Sequence, residues 1–237
     1  MPGSRRRSVL TSRLAGSVLG NPQGTVLEQL RRCILDGEVP PGSPIPVDDV
    51  AAVCGVSRIP VREALMTLIG EGLVDHRAYA GYRVAQLTAQ ELAEIYLVRE
   101  ALEAAALRYA VELATPGDHD LAREAHADLE RAVVAGDARA HHRESRRFHL
   151  ALIAPCRMHR LLHMLAAAWN MTEPLQPMAH LPEADRVLLH ADHAGMLAAF
   201  VARDADALTR LCTAHHHRLQ SSIALLPTDA GLFADPG

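Results

Sequence analysis

The stretch GVSRIPVREAL, residues 55–65, carries a proline near the start of an otherwise helical pattern, with Val61 and Leu65 recurring behind it at helical spacing. Proline is tolerated in the first turn of a helix because the N–H groups there have no intrahelical acceptor, and its fixed φ suits the helical start. The stretch therefore predicts a helix that begins just after Ser57. Because the proline has no N–H, we expect the Ser57 side chain to cap the N–H of Ile59.

Two arginines, Arg58 and Arg62, lie four residues apart in this stretch and therefore share one face of the predicted helix. The N-terminus of a helix suits a phosphate, and an arginine in the major groove can bind O6 and N7 of a guanine bidentately. The same spacing also fits a solvated surface that does nothing but face water. Spacing alone leaves both interpretations open.

The residues before this helix predict two further helices. Apolar residues recur at helical spacing over 24–36, and residues 47–53 supply about two more turns that end at a glycine. Between them, residues 37–46 contain four prolines and are predicted to be a connector without helix. A short helix, a tight turn and a second helix therefore follow one another in sequence.

The residues after this helix alternate apolar and polar side chains around Gly81, over 73–87, as the two strands of a hairpin do. Helix, helix-turn-helix and hairpin is the element order of a winged helix-turn-helix. We therefore predict a winged helix-turn-helix domain for residues 21–86.

The rest of the chain is predicted to be almost entirely helical. Apolar periodicity and capping residues indicate six helices, at 88–113, 118–135, 137–155, 158–171, 183–203 and 204–225. A proline-rich loop, containing Pro174, Pro177 and Pro182, separates the fourth helix from the fifth. The fold class is thus mainly α, with a C-terminal antiparallel α-helical bundle over 87–226. We expect the basic segment 1–20 and the segment 227–237 to be flexible tails.

The composition of the 237 residues, 49% hydrophobic and 22% charged, is that of a soluble globular chain. No apolar run approaches the ~18 residues that a membrane helix requires, and Arg13 interrupts the weakly apolar N-terminal stretch. We therefore expect a cytoplasmic protein with no membrane partner. The four cysteines form no CxxC pair, so neither a disulfide framework nor a thiolate zinc site is predicted.

Charge and histidine are distributed unevenly along the chain. Residues 1–86 carry 10 arginines and 8 acidic residues, whereas residues 87–237 carry 14 arginines and 20 acidic residues. Thirteen of the 14 histidines lie after residue 86. The first part therefore suits a polyanionic partner, and the second part suits metal or pH chemistry.

Residues 24–86 resemble the N-terminal domain of the GntR family of bacterial transcription regulators, and the most specific match is GVSRIPVREAL followed by EGLV. The resemblance implies that a recognition helix contacts double-stranded operator DNA through the residues matching Ser57, Arg58, Ile59 and Arg62. It also implies that the tip of the wing enters the minor groove.

Two positions depart from the pattern of that family. A basic residue that contacts DNA often stands in relatives where this chain has Asp48, and an acid there would repel phosphate. Relatives tend to have Arg-Pro-Gly-Arg-Gly in the wing, whereas this chain has Arg77, Ala78, Tyr79, Ala80 and Gly81. Arg77 and Gly81 remain as candidate DNA contacts, and Tyr79 replaces the turn glycine, where it can stack or pack instead. The Arg5-Arg6-Arg7 run can also supply phosphate contacts.

The sequences RRFHLALIAPCRMHRLL and HADHAGMLAAFVARDADALTRLCTAHHHRL resemble the FCD effector-binding domain of the FadR branch of GntR regulators. The resemblance implies a divalent metal, zinc or nickel, held by an aspartate and three histidines, and a small carboxylate bound by that metal. The three histidines match His149, His193 and His215. The aspartate should stand four residues before His149, where this chain has Ser145.

Several readings of these residues remain open. Serine is a poor ligand, so a water can take its place, Glu144, His141 or His142 can swing in, or the site can be weak. The histidines can also be ordinary core residues, and only one residue of the run 215–217 is expected to face the bundle interior.

Arg99 has two readings. It can form an ion pair with Glu103, four residues on. In the family, however, the matching arginine points into the cavity and binds the carboxylate of the effector, and we favour this second reading.

We predict a homodimeric transcription regulator, a repressor, that binds operator DNA and responds to a small organic acid, and we expect no enzyme activity. One alternative is a metal-dependent hydrolase, since His119-Asp120 superficially resembles HD-domain phosphohydrolases. Ser145 leaves that hydrolase without a general base beside the histidines. Another alternative is a direct metal sensor, in which the ion itself is the signal.

Overall fold

The computed structural model describes residues 9–14, 22–226 and 232–234. Helices dominate, with one small sheet near the N-terminal end, so the predicted mainly α class is confirmed. The described residues form two compact units, one made of residues up to 88 with 170–175 and 232–234, the other made of 89–169 with 176–226. No helix among the described residues is long and apolar enough to cross a membrane.

The first unit contains the predicted winged helix-turn-helix. Its helices and strands follow in the order α1 (Val9–Arg13), α2 (Pro22–Leu35), β1 (Pro44–Ile45), α3 (Val47–Cys54), α4 (Arg58–Gly70), β2 (Val74–Arg77) and β3 (Gly81–Val84). Helix α3 ends at Gly55, whose φ of 68° lies in the left-handed region that glycine adopts without steric cost. This sharp stop allows α4 to start three residues later.

One face of α4 packs into the core of the first unit. Its buried side chains are Val61, Ala64, Leu65 and Leu68, spaced three or four residues apart. Because these residues fix the rotation of the helix, the residues between them face solvent. The hairpin is antiparallel, with Arg77 paired to Gly81 next to its turn.

The connector over 37–46 differs from the prediction, because Pro44 and Ile45 form a third strand. Strand β1 pairs antiparallel with β3, and the sheet order is β1-β3-β2. A proline has no N–H for the ladder and is therefore found on edge strands, where β1 lies. The strand depends on pairing with Arg83 and Tyr82, 39 and 37 positions further along, which local patterning does not reveal.

Both predicted tails contain ordered residues. Val9–Arg13 form a helix instead of a flexible segment, and Leu10 is fully buried. Near the other end, Leu232 and Phe233 are buried, and the Gln86 side chain donates a hydrogen bond to the carbonyl of Phe233. Burial of apolar side chains thus holds part of each segment against the first unit. The Arg5-Arg6-Arg7 run lies outside the described residues.

The second unit is a helical bundle. Its helices are α5 (Ala89–Leu113), α6 (Pro116–Val134), α7 (Ala138–Ile153), α8 (His159–Thr172), α9 (Pro177–His180), α10 (Glu183–Val201) and α11 (Ala205–Ile223). The bounds of the six long helices lie within two residues of the prediction. The side chains of Asp137 and Asp204 cap α7 and α11. Thr115 and Asp118 form a capping box at α6 that the sequence interpretation missed.

The proline-rich segment between α8 and α10 is more ordered than predicted. It contains a 3₁₀ turn at Glu173–Leu175 and the short helix α9. Proline suits the first turn of such short helices, which is where Pro177 stands. This segment brings Pro177 and Met178 to the cavity described below.

Candidate functional site

The start of α4 presents polar groups to solvent. Ser57 occupies the N-cap position, as predicted, but its side chain makes no capping hydrogen bond, so the expected bond to Ile59 is wrong. The exposed hydroxyl of Ser57 is therefore not committed to the helix. The first-turn N–H groups of α4 also have no acceptor within the helix itself.

Three further residues predicted to contact DNA, Arg58, Ile59 and Arg62, are exposed on the first turns of α4. Ile59 is 68% exposed although it is apolar. An exposed apolar side chain beside two arginines matches the major groove, where thymine methyl groups lie next to guanine acceptors. The structure therefore presents the predicted set together on one solvent-facing helix end.

The wing is a short hairpin with an unusual tip. Tyr79 adopts φ 64°, the left-handed region where relatives carry glycine, and its side chain is fully exposed. It neither stacks nor packs within the first unit. Arg77 and Gly81 flank the tip as the last pair of the hairpin, so both remain placed for a groove contact.

Three histidines that lie far apart in sequence meet inside the second unit. His149 on α7, His193 on α10 and His215 on α11 bring ring nitrogens within 4.8 Å of one another. Their ring centroids are 4.5–5.3 Å apart, and each side chain is at most 3% exposed. Three imidazoles converging from three helices can coordinate one ion. We call this set the histidine trio.

Carboxylates stand behind two members of the trio. Glu103 Oε2 lies 3.5 Å from His149 Nδ1, and Asp192 Oδ2 lies 3.4 Å from His215 Nδ1. A carboxylate in that position orients a ligating imidazole and raises its basicity. His193 differs, because both of its ring nitrogens are buried without a hydrogen-bond partner.

Burial favours the neutral form of two members of the trio, His193 and His215. It lowers the pKa of His193 well below its ordinary value, and the neighbouring His215 and His149 rings lower it further. Burial likewise lowers the pKa of His215 to about 4, although Asp192 opposes that shift. Only the neutral imidazole offers a lone pair to a metal, so these side chains are ready to coordinate at neutral pH.

Ser145 lies one turn before His149 on α7, buried and facing the same cavity. The alternative donors differ in placement. Glu144 is paired with Arg143 and Arg147, whereas His142 lines the cavity with Ser145. His141 turns instead toward His190, with ring centroids 6.4 Å apart.

Glu103 is the main residue whose placement the sequence did not foresee. This buried carboxylate contacts His216 Nε2 at 2.5 Å, accepts a hydrogen bond from Trp169 Nε1 at 3.2 Å, and lies 3.4 Å from Cys212 Sγ. Burial alone would raise the pKa of Glu103, but His216 and His149 hold it well below the ordinary value. A charged residue on the buried stripe of α5 was the signal that could have revealed this network.

The run 215–217 corrects the expectation that only one of its members faces inward. His215 joins the trio and His216 contacts Glu103, and both are buried. His217 alone is exposed. Successive helical residues differ by about 100° in direction, so two neighbours both face inward when a helix packs on two sides.

Arg99 is buried, and its guanidinium lies over the Trp169 ring at 3.5 Å and near the Tyr96 ring at 4.8 Å. It borders a small cavity whose free space is about that of one water molecule. The cavity is lined by Tyr96, Arg99, His142, Ser145, His149, Trp169, Pro177, Met178, His215, His216 and Leu219. A cation and two histidines of the trio therefore border one small cavity.

The residues that suggested a hydrolase do not join this site. The His119 ring packs edge-on against Phe200, and the exposed Asp120 pairs with Arg123. Neither residue lines the cavity of the trio.

Comparisons with known proteins agree with this architecture. The model of the "Bacterial regulatory proteins, gntR family" matches residues 22–84, and the FCD domain model matches residues 94–218. A "Probable D-xylose utilization operon transcriptional repressor" of Paenarthrobacter nicotinovorans is 34% identical over 153 residues, which cover 62% of this chain and 64% of that protein. The transcriptional repressor RspR of Escherichia coli K12 is 26% identical over 86% of this chain and 91% of its own.

Two solved structures share the fold. The structure of E. coli McbR/YncC is 26% identical, with a TM-score of 0.74 over 87% of this chain and 97% of that chain. A GntR regulator from Rhodococcus sp. RHA1 is 23% identical, with a TM-score of 0.76 over 86% of this chain and 98% of that chain, which speaks for the fold alone. The chain belongs to the GntR family of bacterial regulatory proteins, in the group that carries an FCD domain, and is a DNA-binding transcriptional regulator, not an enzyme.

Proposed function

We propose that the protein is a homodimeric repressor whose helical bundle responds to a small organic acid through a bound divalent metal. The observation that carries this proposal is the histidine trio, three buried imidazoles that converge from three helices. Two relatives that match this chain are named repressors, which supports the sign of regulation.

The proposed DNA contacts are Ser57, Arg58, Ile59 and Arg62 on the recognition helix, with Arg77 and Gly81 from the wing. The exposure of the recognition-helix residues supports this assignment. A dimer is proposed because a helix-turn-helix reads only a few bases, and two recognition helices bind half-sites about one helical turn, roughly 34 Å, apart. The effector would then act by changing the spacing of the two helices.

The donor set of the trio fits a borderline ion such as zinc or nickel. Neutral imidazoles prefer such ions over magnesium or calcium, which prefer oxygen ligands. The unpartnered nitrogens of His193, buried at 1% exposure, support an ion because a buried polar atom normally has a partner. When bound, the metal would offer open coordination positions to an oxygen ligand of the effector. Ser145 takes the place of the aspartate. Because serine carries no charge, the protein would neutralise less of the positive charge of the ion than a site with an aspartate does.

Arg99 is the proposed partner of the effector carboxylate. Its guanidinium is held against Trp169, which fixes its plane beside the cavity. Arginine presents a fork of donors that binds a carboxylate bidentately. Because the cavity has room for about one water molecule, an effector would need Met178 or neighbouring side chains to move.

The same small cavity favours a second candidate, a direct metal sensor in which the ion is the signal. An ion fits the available space without rearrangement, whereas an organic acid does not. The two candidates differ in which addition releases operator DNA from the metal-free protein. A sensor responds to zinc or nickel alone, and an effector-binding repressor responds only when a carboxylate is also added.

The test is metal analysis of the purified protein combined with thermal unfolding. We expect zinc or nickel to raise the melting temperature of the wild type, because a ligand that binds only the folded state stabilises it. His149→Ala, His193→Ala and His215→Ala should each abolish that rise, and the matched control His163→Ala, at an exposed site on α8, should retain it. Ser145→Asp should tighten metal binding.

Absence of zinc and nickel from the wild type after incubation with either ion, together with no gain from Ser145→Asp, would reduce the trio to core histidines. A screen of small carboxylates by thermal shift on the metal-loaded protein then tests the effector. Light scattering or sedimentation of the full chain tests the dimer.

A further inference from the structure

Asp48, which stands where relatives often have a basic residue, contacts the recognition helix α4. Asp48 lies in the first turn of α3, and Arg58 is the first residue of α4. Asp48 Oδ1 is 2.5 Å from Arg58 Nε, and both side chains remain more than 60% exposed. The acid is thus paired with one of the two arginines proposed above to contact DNA.

The atom that Asp48 engages decides what Arg58 can still do. A guanidinium has five N–H donors, one on Nε and four on the two terminal nitrogens. A carboxylate bound at Nε leaves the two terminal nitrogens of the guanidinium free to donate. These are the atoms that reach O6 and N7 of a guanine. We propose that Asp48 is a positioning residue that orients Arg58 toward a guanine and thereby sets the sequence specificity of operator binding.

The energetics favour a role in binding over one in stability. An exposed ion pair contributes only about 0–1 kcal/mol to folding, because water screens it. When the helix enters the groove, water leaves the pair and the attraction between the two charges strengthens. Arg58 then reaches the base already oriented and loses less rotamer freedom on binding.

The same carboxylate acts against other sequences. The negative charge of Asp48 repels the phosphates of any DNA. When no guanine lies opposite Arg58, no base contact compensates this repulsion. Asp48 therefore weakens binding to unrelated DNA more than binding to the operator. Specificity is this difference between the two affinities.

The chain offers a matched control in Asp49. It has the same charge, lies in the same first turn of α3, and has no ion pair among the described residues. Asp49→Asn removes one negative charge from the same helix end without touching Arg58. Comparison of Asp48→Asn with Asp49→Asn thus separates positioning from simple repulsion.

The experiment uses the full-length protein and two duplexes: one enriched from a random library by the wild type, and one scrambled duplex of equal composition. Affinities are measured by fluorescence anisotropy at one fixed salt concentration, because phosphate contacts depend on salt. The readout is the ratio of the two affinities for the wild type, Asp48→Asn, Asp49→Asn, Arg58→Ala and the double variant Asp48→Asn with Arg58→Ala. Melting temperatures verify that each variant folds.

We expect Asp48→Asn to lower the specificity ratio about 5- to 10-fold, because the variant loses only part of the contribution of one good base contact. Asp49→Asn should tighten both affinities by a similar factor and leave the ratio unchanged. In the Arg58→Ala background, Asp48→Asn should have no further effect on the ratio. The proposal is overturned if both asparagine variants change the ratio equally, or if the effect of Asp48→Asn persists without Arg58.

Discussion

The recognition helix and the histidine trio use opposite physical strategies. The arginines of α4 stand in water, where they contribute little to folding and remain available to a partner. The trio is buried and partly unpartnered, so its arrangement costs stability until a ligand compensates it. Substitution of the exposed arginines should therefore leave the stability of the fold unchanged. Substitution of the buried histidines should change that stability.

The largest expected effect separates binding from stability at the exposed site. Arg58→Ala combined with Arg62→Ala should weaken operator binding at least about 100-fold, since each bidentate base contact contributes roughly 1–3 kcal/mol. The melting temperature should stay within a degree or so, because both side chains face solvent. Gel shifts and thermal unfolding provide the two readouts, with the exposed Arg108→Ala on α5 as the charge-matched control. Unchanged operator affinity in the double variant would contradict the assignment.

The second-largest expected effect is a pH dependence of the free energy of unfolding that arises from the buried His141. Burial, with contributions from His190 and Arg186, lowers the pKa of His141 to about 4. The unfolded chain therefore takes up this proton first, so stability is complete above about pH 6.5 and is lost as pH falls toward 4. Between pH 7 and pH 5, His141 alone should reduce the free energy of unfolding by about 2 kcal/mol.

Urea unfolding of the metal-free protein at pH 7 and pH 5 measures this loss. His141→Asn, which cannot titrate, should lose about 2 kcal/mol less than the wild type over that interval. His163→Asn, at an exposed site, should follow the wild type. Equal losses in all three proteins would show that the burial of His141 does not govern its protonation.

The smallest expected effect concerns the cost of keeping a ligand residue unpartnered. His193→Leu should raise the free energy of unfolding of the metal-free protein by about 1 kcal/mol, because an apolar side chain removes two buried, unsatisfied nitrogens. The same variant should lose all stabilisation by zinc or nickel. Urea unfolding with a chelator tests the first effect, and a less stable metal-free variant would show that His193 is satisfied in the bundle.

The outward-facing surface of α4 was largely predictable because its signals are local. Pro60 and the apolar residues behind it fixed the start and the buried face of α4, and that alone placed Arg58 and Arg62 on the outside. Strand β1 escaped prediction because it exists through pairing with Arg83 and Tyr82, far along the chain. The sequence likewise gave no sign that Asp48 meets Arg58.

The family resemblance named the three residues of the histidine trio, but it did not reveal the side chains that surround them. Glu103 meets His149, His216 and Trp169 only because three helices pack together, and no spacing in the sequence encodes those contacts. The charged residues Arg99 and Glu103 on the buried stripe of α5 were the available hint. Charged residues on an apolar stripe identify a polar interior without telling which partners fill it.

The closure of the cavity around the trio has a consequence for rates. The proposed organic acid is larger than the cavity and must wait for the bundle to open, so its rate of entry would be set by the opening step and would stop rising once the acid is abundant. Release is limited by the same step. Removal of the proposed acid from solution would therefore free the site only at the rate at which the bundle opens.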